Sequence, residues 1–135
     1  MQRIQTVYLL FATLLSVCTM SFNLFVQDDF IITASDQAVL LVAGAIMIAD
    51  TVAPIFFYKN RKLQVRICYM AMMMQCLFFI ALIIIINKML PAGLHGIEGF
   101  KLVSLFPLIN LILIYLSIRG IKKDEALIKS MDRLR

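Results

Sequence analysis

Residues 38–66, AVLLVAGAIMIADTVAPIFFYKNRKLQVR, decide how the chain is read. About twenty apolar residues stop abruptly at Lys59, Arg61, Lys62 and Arg66, the pattern of a helix that leaves a bilayer at a cytoplasmic surface. One residue is foreign to hydrocarbon: Asp50 stands near the middle of the run, and Pro54 follows one turn later. Pro54 cannot donate to the carbonyl of Asp50, which leaves that oxygen free and the helix prone to bend.

Three further apolar runs match this one, at about residues 5–25, 67–86 and 101–118, each near the ~20 residues that cross a ~30 Å hydrocarbon layer. The 135 residues are 62% hydrophobic and 16% charged, with a mean hydropathy of +0.94, far from the soluble globular range. The expected fold is all-α: one domain forming a four-transmembrane-helix bundle. Arg3 precedes a run of full spanning length with no small-residue cleavage site after it, so the first helix is expected to be retained.

The net charge of +5 invites a nucleic-acid reading, which its distribution opposes. Of thirteen Lys and Arg, only Lys88 and Lys101 fall outside the N-terminus, the 59–66 loop and the stretch after Ile118, while Asp28, Asp29 and Asp36 cluster in the first loop. This positive-inside asymmetry places both termini in the cytoplasm. The basic face then comprises Lys59, Arg61, Lys62, Arg66, Arg119, Lys122 and Lys123, set against anionic lipid headgroups. A membrane-protein partner or a second copy of the chain is a possible occupant of the same face; nucleic acid is not expected.

Inside the spans, polar residues recur. Thr6, Thr13, Ser16, Thr19 and Asn23 share one face of the first helix, as Ser and Thr do when they bond their own backbone or a neighbouring helix. In the second, Ala45, Ala49 and Ala53 form a small-residue stripe that reads as a packing seam. Counted inward from the cytoplasmic ends, Thr13, Asp50, Gln75 and Asn110 each lie about eight residues in, or roughly 12 Å deep. Turned inward, with Ser16 nearby, they make a buried polar cluster. No cation lies at that depth, so a protonated Asp50 bonded to the amide of Gln75 or Asn110 fits best. Interhelical glue is the plainest role for such a cluster, and a proton or cation path through Asp50 is the rival.

The loops carry weaker signals. Thr33-x-x-Asp36 resembles a capping box and starts the second helix near Ala34. Asp28 with Asp29, and His95 with Glu98, are too few ligands for a metal site. Met70 and Met74 are one turn apart, but no Met- or His-rich entry segment accompanies them, so they read as flexible packing rather than copper ligands. Cys18, Cys68 and Cys76 have the wrong count and spacing for a disulfide framework. The stretch after the fourth span, residues 119–135, reads as a short amphipathic cytoplasmic helix with an apolar stripe of Leu127, Met131 and Leu134. The single His and the lack of HExxH, GxSxG or a phosphate loop argue against an enzyme, and no cofactor or metal is expected.

Three stretches together, MQRIQTVYLL, KNRKLQVRIC and FPLINLILIYLSIRGIKKDEALIKSMDRLR, resemble a domain-of-unknown-function family of small bacterial four-helix membrane proteins. The resemblance implies an inner-membrane protein with no assigned activity. Small multidrug exporters share the size and span number, but they carry their membrane acid in the first helix, where this chain has none. The residues therefore point to a non-enzymatic accessory or structural component that binds partners through its basic loop and tail. The alternative is a small proton-coupled carrier built around Asp50.

Overall fold

The computed structural model describes residues 2–27, 30–34, 36–89 and 101–132. The Asp28–Asp29 pair, the loop holding His95 and Glu98, and Leu134 lie outside them. The chain runs α1 (Gln2–Ser21), β1 (Asn23–Gln27), β2 (Phe30–Thr33), α2 (Ala38–Phe56), α3 (Arg61–Met89) and α4 (Phe106–Asp132), with a 3₁₀ turn at Leu102–Leu105 leading into α4. All four helices are long and apolar enough to cross a membrane. Each packs on its neighbours in sequence, and α4 closes the ring on α1.

The start of α1, the end of α4, the α2–α3 loop and Lys59, Arg61, Lys62, Arg66, Arg119, Lys122, Lys123 and Lys129 gather at one end. The β-hairpin occupies the other. The stretch expected to finish the first span and then form an acidic loop instead pairs as two antiparallel strands, with Phe25 opposite Ile32 and Val26 opposite Ile31. Its register slips between Asn23 and Phe25, the mark of a bulge at Leu24. The freed carbonyl of Leu24 accepts from Lys101 N–H at 3.3 Å and from the Ser104 hydroxyl, which ties the hairpin to the approach of α4. Leu24, Phe25 and Ile32 are then buried with Leu40, Met47, Phe78, Leu82 and Ile86, and cap this end of the bundle.

Three further expectations are corrected. The Thr33–Asp36 pair does bond, Thr33 N–H donating to Asp36 Oδ2 at 3.2 Å, but it closes a turn after β2. The helix begins only at Ala38, and Gln37 before it gives no side-chain cap. The alanine stripe faces outward: Ala45 and Ala49 are exposed and Ala53 is half-buried. The inward face of α2 is Leu40, Gly44, Met47, Thr51 and Pro54, and Gly44 supplies the close approach because Met20 of α1 fills the space a Cβ would need. Finally, the tail is no separate helix. α4 runs unbroken through Gly120 to Asp132, because nothing after Ile118 breaks it.

The short loop between α2 and α3 is closed by side chains. Asn60 accepts from Leu63 N–H through Oδ1 at 3.4 Å and so caps α3, while Gln64 Nε2 donates to the carbonyl of Pro54 at 3.0 Å and satisfies the end of α2.

Candidate functional site

A polar layer crosses the bundle between two apolar cores. Towards the hairpin lies the core just described; towards the termini lie Leu9, Ala12, Cys68, Ala71, Ile114, Ile118 and Ile121. Between them Ser16 of α1, Gln75 of α3 and Asn110 of α4 are fully buried. The Ser16 hydroxyl donates to Ala12 O one turn back at 2.9 Å, so its oxygen is left as an acceptor. Asn110 Nδ2 donates to it at 2.9 Å and Gln75 Nε2 at 3.4 Å. One hydroxyl thus joins three helices.

The layer is polar in excess of its bonds. Gln75 Oε1 and Asn110 Oδ1, and two turns further along α4 Ser117 Oγ, are buried and find no hydrogen-bond partner among the described residues. With both amide NH₂ groups aimed at Ser16, the two carbonyls must point elsewhere into the interior. Such acceptors suit a buried water or another donor, since each costs free energy if left dry.

Of the five residues expected in this cluster, the structure brings together Ser16, Gln75 and Asn110. Thr13 is half-buried and spends its hydroxyl on Leu9 O at 2.8 Å. Asp50 is the larger correction. It is half-buried and hydrogen-bonds to none of the four. The reason is azimuth: Asp50 sits about 80° around α2 from the middle of its inward face, at ~100° per residue. Ala43 and Ile46 share that flank to within about 40°. They line an apolar groove with Met74, Leu77 and Ala81 of α3, open to the outside of the bundle. The neighbour that does face inward, Thr51, bonds back to Met47 O at 3.1 Å.

At the termini end, Lys59, Lys62, Arg66, Arg119, Lys122 and Lys123 are exposed and Arg61 is half-buried. Lys122 Nζ donates to Tyr69 Oη at 2.9 Å and lies 5.3 Å from that ring's centre, which joins α4 to α3. Glu125 pairs with Lys129 at 3.0 Å, one turn on. No described residue covers the described part of the tail stripe: Leu127 is 44% and Met131 63% exposed.

Gln5 and Gln64 went unremarked in the sequence, yet both are buried here. Gln5 Nε2 donates to Asp124 Oδ2 at 2.6 Å, and its side chain reaches across because Gly120 of α4 leaves room, a Cβ there lying 3.0 Å from Gln5 Cγ. A lone glutamine near a helix end carries no pattern by which this could be found. Among the described residues no three His, Cys, Asp or Glu side chains come close enough to hold a metal ion.

No curated protein and no solved structure matches the chain. A family model does, across nearly its whole length: residues 1–134 match DUF4293, described as a domain of unknown function. With four spanning helices around a shared polar layer, the chain is a multi-pass membrane protein and belongs to the DUF4293 family.

Proposed function

We propose that this protein is a non-enzymatic accessory component of a bacterial inner membrane, with both termini in the cytoplasm, which binds partners through its basic loop and tail. The observation that carries the reading is the tail itself. Beyond Asp124, held by Gln5, α4 continues with Glu125 half-buried and residues 126–131 all exposed, Leu127 and Met131 among them. An apolar stripe on a rigid helix, flanked by Lys122, Lys123 and Lys129, suits a membrane surface or the face of a partner protein. The interior supports the same reading, since its polar layer lies between two apolar cores and its bonds join helices.

A photo-crosslinking residue at position 131, in intact cells, tests this. Discrete protein adducts are expected there and should fade when Lys122 and Lys123 are both changed to Glu. Adducts no more frequent than those from position 112, on the outer face of the fourth span, would count against it.

One observation favours a second reading, a small proton-coupled carrier. Asp50 is an acid inside a span, half-buried and hydrogen-bonded to no described residue, and intramembrane acids are commonly functional. In vesicles bearing the purified protein, proton-coupled flux abolished by Asp50→Asn would support it. Flux equal in the wild type, the variant and empty vesicles would end it.

A further inference from the structure

The cleft at the termini end has a lining that suits one ligand chemistry. It measures about 370 Å³ and lies where the start of α1, the end of α2 and the start of α3 meet. Gln5, Thr6, Tyr58, Arg61 and Gln64 give it polar walls, with Val7 and Ile55 on the bilayer side. Most of the fixed donors are already spent: Gln5 Nε2 on Asp124 at 2.6 Å and Gln64 Nε2 on Pro54 O at 3.0 Å. Arg61 is the exception. Its Nη1 is buried and has no hydrogen-bond partner among the described residues.

A guanidinium nitrogen is costly to bury unpaired, so it marks a place for an acceptor that the described residues do not supply. The nearby acids are engaged. Asp124 accepts from Gln5, and Glu125 is paired with Lys129, whose charge, helped by Lys62 and Arg61, holds its carboxyl below the ordinary range. Arg61 also opens α3, so unpaired backbone N–H groups and the positive end of a 29-residue helix lie beside it. Together these features select a compact oxyanion with several acceptors, which a guanidinium fork can grip from two sides.

We propose that this cleft binds a single phosphate group, with Arg61 as its principal donor. The group can come from an anionic phospholipid headgroup or from a soluble phosphate. The first source rests on the reading that this end meets the cytoplasmic headgroups; the second does not. Either would be a stereospecific site, distinct from the diffuse attraction of the surrounding lysines.

The test uses full-length protein in maltoside micelles, which contain no phosphate, and follows the thermal unfolding midpoint during titration. One arm adds phosphatidylglycerol and the other inorganic phosphate. The variants are Arg61→Gln, Arg61→Lys and, as a control for net charge from the hairpin end, Lys88→Gln. At least one ligand should raise the midpoint of the wild type and of Lys88→Gln alike. Arg61→Gln should weaken its apparent affinity about tenfold or more. A response to phosphatidylglycerol alone identifies the lipid source, and one to inorganic phosphate a soluble one. Without ligand, Arg61→Gln should unfold no earlier than the wild type, because it removes an unpaired cation. Should that variant not fold, Arg61→Lys gives the answer, since it keeps the charge but loses the fork and should bind more weakly. No response to either ligand, or equal responses in Arg61→Gln and wild type, would overturn the proposal. A cytoplasmic orientation disproved elsewhere would remove only the lipid arm.

Discussion

Ser16 shows how one small side chain can set the packing of a bundle. Its hydroxyl accepts from Asn110 and Gln75 while donating to Ala12 O, so Ser16→Ala strands two amides on two other helices. We expect a cost of about 1–2 kcal/mol in reversible unfolding from mixed micelles. Thr13→Ala should cost about 0.5 kcal/mol or less, because that hydroxyl only returns to its own backbone. Asp50 should behave oppositely to Ser16. With no described partner to strand, Asp50→Leu should leave stability unchanged or raise it, whereas a carboxyl acting as glue would make the same change costly. The grouping of Ser16, Gln75 and Asn110 was legible in the sequence because residues at equal depth in antiparallel spans meet at one level. Depth says nothing of rotation, and that is why Asp50 was misplaced. A run apolar on every side gives a helix no sequence-visible inward face.

At the scale of elements, glycines fix the helix pairs. Gly44 admits Met20 between α1 and α2, and Gly120 admits Gln5 between α1 and α4. Gly44→Ile should destabilise the bundle by about 1–3 kcal/mol, and Met20→Ala in the same chain should recover part of that, which a double-mutant cycle in micelles would measure. If the two effects simply add, the notch is not where Met20 sits. The sequence reading put this seam on Ala45, Ala49 and Ala53, since a period-four row of small residues looks like a packing face; the row instead faces outward, beside the groove side of α2. The hairpin was equally hard to see. NLFVQ and FIIT are short strands joined by two acidic residues; the first read as the tail of the first span and the second as part of an acidic loop. What separates them physically is the bulge at Leu24, whose carbonyl finds its donors on Lys101 and Ser104, about eighty residues later in the chain. Such a distant pairing leaves no local trace. The tail was half legible: its helix was expected, but not its continuity with α4 through Gly120, which serves as a notch for Gln5.

For the whole molecule, apolar length and charge asymmetry carried most of the argument. Four runs near the span of a bilayer became four helices long enough to span it, and the described basic residues other than Lys88 and Lys101 came together at the end where α1 starts and α4 ends. The structure makes that end the polar one: it holds the Arg61 cleft, the Lys122–Tyr69 contact and the exposed tail, while the hairpin end is sealed by Leu24, Phe25 and Ile32. Everything proposed about partners and headgroups depends on which side of the membrane this end faces. The most direct measurement is cysteine accessibility. In a background lacking Cys18, Cys68 and Cys76, single cysteines would replace Lys62, Ala126 and Ile31 in turn and meet a membrane-impermeant maleimide on intact cells. The account predicts labelling at position 31 before lysis, and at 62 and 126 only after it. Labelling of 62 or 126 on intact cells, or protection of 31, would contradict it.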